Sequence, residues 1–290
     1  MRFPLLCAVA LVLSAAVPVG AAEQKLPAFL PAYSAMAAGV DLNALCDHPQ
    51  SANLFAVLEN ICGKSTRELA EVLLACDPQG KRRIMLAEFD RQETVANYCG
   101  KVKDMRLPAE DHNGYEVFLL KGRANERKAV RMLRFTPRNI GLFTAFPSGA
   151  PFRAVPGKSP VFPQIPRRKN VLLWGWGKPQ IDRDYLRHIR EFYFVLEPDI
   201  HGNLLLHGRI RFTGKLQTVM FLWFVQQIMP AAIAVKYDIP IWDVWRGISA
   251  LDVKNTGEEV VFSCRDIEPV FKVFTGVFHR QLSKLREITQ

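Results

Sequence analysis

One stretch restricts how this chain can fold more than any other. Between Lys215 and Lys236, residues 216–235 form a run of twenty residues without a charged side chain. A run of about 20 apolar residues is long enough to cross a membrane as a helix. This one also contains glutamines and Pro230, and a proline inside a helix removes a hydrogen bond and bends or ends it. The pattern favours a helix buried against a sheet, kinked at Pro230, over a membrane span.

The amino terminus has the pattern of a secretory signal peptide. Arg2 supplies a positive start, residues 5–17 are an apolar run, and small residues up to Ala22 precede Glu23. Charge, hydrophobic segment and small-residue cleavage site follow each other in the order that export requires. The apolar run is shorter than the roughly 20 residues of a membrane anchor. The sequence therefore predicts cleavage near Ala22 and a mature periplasmic protein.

The cysteines beyond the signal are unevenly distributed. Cys46, Cys62, Cys76 and Cys99 lie within 54 residues, whereas Cys264 is isolated. In an oxidising compartment, clustered cysteines of this kind form disulfides. We therefore expect two disulfides, in any of three pairings, and a buried free thiol at Cys264. The spacings of 16, 14 and 23 residues lack the short pairs of a zinc site, so no metal is predicted.

Positive charge is concentrated in one part of the chain. The net charge is +10, and no acidic residue lies between Glu126 and Asp182. A block of this kind creates a positive potential that attracts anions, although it can also be a solvated face that keeps the protein soluble. Nucleic acid is rare outside the cytoplasm, so anionic lipid or glycan is the expected partner. The eleven basic residues of the block are Arg127, Lys128, Arg131, Arg134, Arg138, Arg153, Lys158, Arg167, Arg168, Lys169 and Lys178.

Helical signals dominate the region that contains the clustered cysteines. Ser65 and Glu68 form a capping box, and glycines follow Cys62 and Cys99 as helix ends do. These signals predict helices over 51–62, 65–76 and 83–99. We divide the chain into a signal peptide (1–22), a lead-in segment (23–40), a helical domain with four cysteines (41–105) and an α+β domain (106–290), which carries a proline-rich basic loop at 147–169.

The second domain shows strand patterns and a final helix. Alternating apolar and polar residues predict strands over 115–120, 129–136, 171–176, 192–196, 204–212 and 258–264, and phenylalanines on one stripe predict a helix over 267–285. Strands and helices are segregated rather than alternating. The predicted fold class is α+β, with a disulfide-bearing N-terminal helical region followed by an antiparallel sheet packed on a long apolar helix.

No catalytic motif is present in the sequence. The histidines lack metal-ligand spacing, and no nucleophile elbow or phosphate loop occurs. Trp174 and Trp176 fit either a sugar-stacking platform or the core face of a strand. Asp182, Asp184 and Glu191 could act as paired carboxylates on a glycan, but their setting is also typical of a helix start with exposed ion pairs. An enzyme is therefore not predicted.

The end of the chain resembles a known group of envelope proteins. Leu216 to Met220 opens a long apolar helix, the extended piece Ile239-Pro240-Ile241 follows, and a closing strand runs over 258–263. This order is similar to that of YceB-like bacterial envelope lipoproteins and, more broadly, of tubular lipid-binding (TULIP) proteins. The resemblance covers about 60 residues. It implies a curved sheet wrapped on a long helix with an apolar groove between them, and it assigns no functional residue.

Together these features predict a periplasmic binding or carrier protein for a hydrophobic or anionic amphiphilic ligand, most simply a lipid, without a cofactor. The alternatives are an envelope assembly or scaffold factor that binds a protein partner, and an enzyme on an anionic envelope polymer. A membrane surface is a further possible partner, and nucleic acid is not expected. The predicted groove is lined by Phe221, Trp223, Phe224, Ile228, Phe271, Phe274 and Phe278. The predicted anion site comprises Arg131, Arg134, Arg167, Arg168 and Lys169.

Overall fold

The fold is described by a computed structural model. It describes residues 34–52, 67–80, 83–91, 106–107, 111–112, 115–120, 130–136, 138–143, 171–180 and 187–277, and six single positions: Leu26, Leu30, Phe55, Ala56, Glu59 and Val95.

Thirteen strands in this described part form one antiparallel sheet. Side by side, the strands follow the order β12, β13, β11, β10, β9, β1, β2, β3, β8, β7, β6 and β4, and β5 pairs with β6. Their bounds are β1 Met36–Asp41, β2 Leu69–Cys76, β3 Arg83–Phe89, β4 Arg106–Leu107, β5 Asp111–His112, β6 Tyr115–Leu120, β7 Val130–Thr136, β8 Asn139–Phe143, β9 Leu173–Gly177, β10 Ile189–Pro198, β11 Leu204–Phe212, β12 Asp252–Asn255 and β13 Glu259–Cys264.

Five α-helices accompany the sheet in the described residues, which also include a 3-10 turn at Pro49–Ser51 and helical positions at Ala52, Phe55, Ala56 and Glu59. α1 (Leu42–Asp47) follows β1 directly, with Asp41 Oδ1 accepting a hydrogen bond from the Ala44 amide as its N-cap. Three helices in succession separate β11 from β12: α2 (Lys215–Gln227), α3 (Met229–Tyr237) and α4 (Ile241–Ser249). The last, α5, is described over 267–277.

The centre of the sheet is buried on both faces because alternate residues of each strand point to opposite sides. On β2, Leu73 and Ala75 pack with Trp174 and Trp176 of β9, under Leu26 and Leu30 of the lead-in segment. The opposite face packs against α1 and α5. Gly39 on β1 makes room for the Trp174 indole, since a Cβ at that position would collide with the ring.

The predicted N-terminal helical region is wrong at residues 69–76 and 83–89, although the described positions Ala52, Phe55, Ala56 and Glu59 of the first predicted helix are helical. Residues 69–76 and 83–89 form β2 and β3 rather than helices. β2 pairs with β1 on one edge and β3 on the other, so strand pairing and burial of both faces outweigh the local capping signal. Much of the helix predicted over 51–62, and most of 90–99, lies outside the described residues.

The disulfide prediction also fails where it can be compared with the structure. No disulfide joins two of the described cysteines, and Cys46 carries a free thiol at an exposed position on α1. The prediction assumed short helices in need of covalent staples, but this region contributes strands to a large sheet with its own buried core. Cys62 and Cys99 lie outside the described residues. Cys264 is buried and free, as predicted.

The single long apolar helix is the third correction. The uncharged run forms α2 and α3, which meet at Ile228 with a bend of 48°. Pro230 lies in the first turn of α3, where its missing amide costs nothing, and it cannot continue the hydrogen bonding of α2. The strands predicted in the second half of the chain are present as β6, β7, β9, β10, β11 and β13.

Candidate functional site

Exposed apolar side chains are concentrated on the helices that follow β11. Ten large apolar side chains are exposed among the described residues, and eight of them lie between Leu216 and Trp242. Scattered single exposures are ordinary on a protein surface, whereas a concentration of this kind marks an interaction site. Helices α2, α3 and α4 are therefore the candidate site.

The first of these helices presents a complete apolar stripe to solvent. Leu216, Val219, Met220 and Trp223 follow the i, i+3, i+4, i+7 spacing of one helix face, and they are 66%, 53%, 47% and 56% exposed. We call these four residues the outer face of α2. Gln226 and Gln227 are also exposed and end the stripe with polar groups.

The opposite side of α2 is packed on the sheet. Thr218, Phe224 and Val225 are buried, and the Phe221 ring lies 5.0 Å from the Phe212 ring of β11, centroid to centroid. Thr218 Oγ1 also donates a hydrogen bond to the Gly214 carbonyl oxygen. The helix carries large apolar side chains both toward the sheet and toward solvent, but only the side toward the sheet has a packing partner in the described residues.

The next two helices add exposed apolar groups of their own. Val235 on α3 is 86% exposed and Trp242 on α4 is 77% exposed. Acidic side chains near Trp242 are Asp238 and Asp243, and Asp243 accepts a hydrogen bond of 2.8 Å from Lys272 Nζ. From residue 200 to residue 237 the sequence has no acidic side chain, and Lys215 and Lys236 stand near the two ends of the α2–α3 pair. This combination of apolar and positive groups suits an amphiphilic, anionic partner.

The seven predicted groove residues do not share one surface. Phe224 and Phe271 are buried, and Phe221 and Phe274 pack against buried clusters between the sheet and its helices. Only Trp223 and Ile228 are exposed. Phe278 lies outside the described residues.

The predicted anion site falls largely on parts of the chain that the structure leaves undescribed. Arg167, Arg168 and Lys169 lie outside the described residues. The backbone of Arg131 and Arg134 belongs to β7, where they pair with Leu119 and Glu116 of β6. The proposed role of these five residues stays a prediction.

Trp174 and Trp176 belong to the core and not to an open stacking surface. They are 6% and 5% exposed, and both pack in the cluster under the lead-in segment. Trp176 Nε1 donates a hydrogen bond of 2.8 Å to Glu191 Oε1, so that carboxylate is engaged in a structural contact. Asp182 and Asp184 lie outside the described residues.

Two further features bear on what the candidate site can do. No group of three or more metal-ligating side chains is found in the described part of the chain. No single described helix has the length and hydropathy of a membrane span, although α2 and α3 taken together do, across their 48° bend.

The sequence could have revealed the outer face of α2, because its helical spacing is readable. What the sequence did not reveal is which apolar side chains of this helix the sheet would cover. The prediction assigned Trp223 and Phe224 to the same groove, yet Trp223 is exposed to solvent and Phe224 is buried against the sheet.

Comparisons with known proteins give little to add to this geometry. No protein-family model matches the sequence, and no curated protein matches it. Crystal form IV of TP0453 has a TM-score of 0.46 and 8% sequence identity, over 87% of this chain and 97% of that one. Crystal form I gives a TM-score of 0.46 and 9% identity, over 88% and 98% of the two chains. The resemblance of residues 203–263 to YceB-like proteins stays a prediction.

Proposed function

We propose that this protein binds an anionic lipid in the periplasm, and that it does so with a surface applied to a membrane rather than with an internal groove. The observation that carries the proposal is the outer face of α2, an apolar stripe left exposed next to positive charge. Export through the predicted signal peptide would bring the protein to a compartment bounded by membranes.

The dimensions of α2 suit a shallow position at the bilayer surface. A helix with its side chains has a radius of about 5–6 Å. Interfacial helices bury their apolar face about 5–10 Å into the boundary between headgroups and acyl chains. The outer face can therefore enter the bilayer while the opposite side of α2 stays packed on β11 and β13.

The flanking residues suit the same position. Tryptophans concentrate at membrane interfaces, where an apolar ring and a polar N–H can both be accommodated, and Trp223 and Trp242 are the two most exposed aromatic side chains of this region. Lysines such as Lys215 and Lys236 can extend their amines to lipid phosphates while their methylene chains lie along apolar surface. Each basic group near an anionic leaflet contributes about 1 kcal/mol.

Vesicle flotation tests the proposal. The wild-type protein should float with phosphatidylglycerol vesicles, and Leu216→Gln with Trp223→Gln should weaken that binding by at least about tenfold. Each fully buried side chain of this size contributes about 1.5–3 kcal/mol, so two substitutions exceed this factor even when burial is partial. Ile200→Gln is the matched control, because Ile200 is 95% exposed in the turn between β10 and β11.

Equal flotation of the double variant and the control would show that the outer face of α2 does not carry the binding. Absence of wild-type flotation on every vesicle would contradict the lipid proposal itself. It would instead favour the assembly-factor alternative, in which the same face docks on a protein.

A further inference from the structure

A basic cleft lies beside the start of α2. Its lining includes Lys178 after β9, Arg187 and Arg190 around the start of β10, and Thr213 between β11 and α2. The cleft has a volume of about 480 Å³, and no acidic side chain lines it among the described residues. None of these groups belongs to the outer face of α2, and only Lys178 belongs to the basic block defined from the sequence.

A chain of hydrogen bonds orients the polar groups of the cleft. Arg187 Nε donates to His188 Nε2 at 3.1 Å, so the imidazole accepts at this nitrogen and carries its proton on Nδ1. The Nδ1–H then faces Thr213 Oγ1 at 3.4 Å, a long hydrogen bond. Because the hydroxyl oxygen accepts from the ring, its own proton is available to an anionic acceptor in the cleft.

The three cations of the cleft are only loosely neutralised by the described residues around them. Arg190 approaches Glu258 no closer than 3.9 Å. Lys178 Nζ lies 5.6 Å from the centre of the Trp176 ring, and Arg187 donates through Nε to the His188 ring rather than to a carboxylate. Gathered cations repel each other, and an anion that bridges them relieves this repulsion. A guanidinium next to a hydroxyl donor matches the oxygens of a phosphate.

The position of the cleft connects it to the outer face of α2. Leu216, the first residue of that face, follows Thr213 by three residues, so their Cα atoms are at most about 11 Å apart. Interfacial helices bury their apolar face about 5–10 Å into the boundary between headgroups and acyl chains, so a lipid headgroup beside α2 is within reach of the cleft. We propose that the cleft binds the phosphate of an anionic phospholipid while the outer face of α2 rests in the same leaflet. This inference rests on the proposed function and adds headgroup recognition to it.

Substitutions in the cleft test this inference. Arg187→Ala should weaken binding to phosphatidylglycerol vesicles about tenfold, the loss expected for one hydrogen-bonded charge. Thr213→Val keeps the shape of the side chain and should weaken the same binding severalfold. Residual binding to dodecyl maltoside micelles, which carry no phosphate, should be equal in both variants and the wild type, because it depends on the apolar face.

Arg265→Ala is the matched control, since it removes one exposed guanidinium at the other end of the β11–β13 strand pair, away from the cleft. Leu206 of β11 pairs with Cys264, and Thr213 is seven residues further along, about 23 Å at the rise of a strand. Arg265→Ala should bind phosphatidylglycerol vesicles like the wild type. If Arg187→Ala binds them like Arg265→Ala, the cleft is not the headgroup site, and the proposed function stands without it.

Glycerol 3-phosphate distinguishes a lipid phosphate from a soluble one. The cleft alone should bind it at least about a hundredfold more weakly than the protein binds vesicles, because the second contact on α2 is missing. If the protein bound glycerol 3-phosphate as tightly as vesicles, or more tightly, the ligand of the cleft would be a soluble phosphate and not a lipid. If the wild type and Arg187→Ala had the same affinity for glycerol 3-phosphate, the cleft would not be a phosphate site. This result is independent of the proposed function, because it does not require the protein to bind vesicles.

Discussion

Strand β2 and helix α2 are both apolar segments, but the fold treats them in opposite ways. β2 has a strand on each edge and packed side chains on each face, and its Leu73 is 0% exposed. α2 has the sheet on one side only, and its Leu216 is 66% exposed. Hydrophobicity alone therefore does not decide burial. What decides it is whether the topology supplies a second packing partner.

The difference separates stability from function. Side chains on β2 contribute packing and loss of apolar surface from water, which are the main sources of folding free energy. The outer face of α2 is neither packed nor removed from water in the described structure. Its exposed apolar surface is available for a partner to cover. Substitutions in the two segments should therefore have opposite consequences.

The largest expected contrast is in stability. Leu73→Ala should lower the free energy of unfolding by about 3 kcal/mol, because it leaves a cavity between two packed layers. Leu216→Ala, the same change on α2, should alter it by less than about 0.5 kcal/mol. Urea denaturation followed by circular dichroism measures both. Similar losses in the two variants would mean that the outer face of α2 is packed in solution.

A smaller contrast is expected between two tryptophans. Trp176→Phe removes the donor of the 2.8 Å hydrogen bond to Glu191 and leaves that carboxylate short of a partner, at a cost of about 1–3 kcal/mol. Trp223→Phe should leave stability unchanged and weaken vesicle binding instead. Thermal unfolding and flotation, performed on both variants, give the two readouts. If only Trp223→Phe lost stability, Trp223 would be the structural tryptophan and the assignment of the two side chains would be wrong.

The smallest contrast concerns two thiols. Burial raises the pKa of the Cys264 thiol to about 11, so about one thousandth of it is thiolate at pH 8. Cys46 is exposed on α1. Iodoacetamide at pH 8, followed by peptide mapping, should label Cys46 within minutes and leave Cys264 unlabelled until the pH approaches 11 or the protein unfolds. Rapid labelling of Cys264 in the folded protein would show that the end of β13 opens.

The strands of the second half of the chain were predictable because one signal dominates there. In β11, the polar side chains His207, Arg209 and Arg211 alternate with Leu206, Ile210 and Phe212 apart from Gly208, which is the period of a strand with one buried face. The prediction of helices in the first half of the chain failed for a physical reason as well. Ser65 and Glu68 satisfy the local rule for a helix start, but the residues that follow are buried on both faces, and this burial outweighs a cap.

The candidate site was predictable in position but not in form. The uncharged run between Lys215 and Lys236 predicted one long apolar helix with a kink at Pro230, whereas the structure has two helices, α2 and α3, that meet at a bend of 48°. The groove was expected to close over Phe224 and Phe271, yet these side chains fill the core. The basic cleft was missed altogether, since its residues are separated in sequence by up to 35 positions and meet only where β9 and β11 end and β10 begins.

The sequence by itself determined the local features of this protein: the alternation of β10, β11 and β13, the proline bend, the lone buried Cys264, and an apolar surplus beside positive charge. These follow from short-range geometry, in which each residue's neighbours along the chain fix the outcome. Only the tertiary structure decided that residues 69–89 are strands, that Trp174 and Trp176 are core, and that one side of α2 is left uncovered. Those outcomes depend on which distant segments pair, because each of these side chains is buried, or left exposed, by residues that are far away in the sequence.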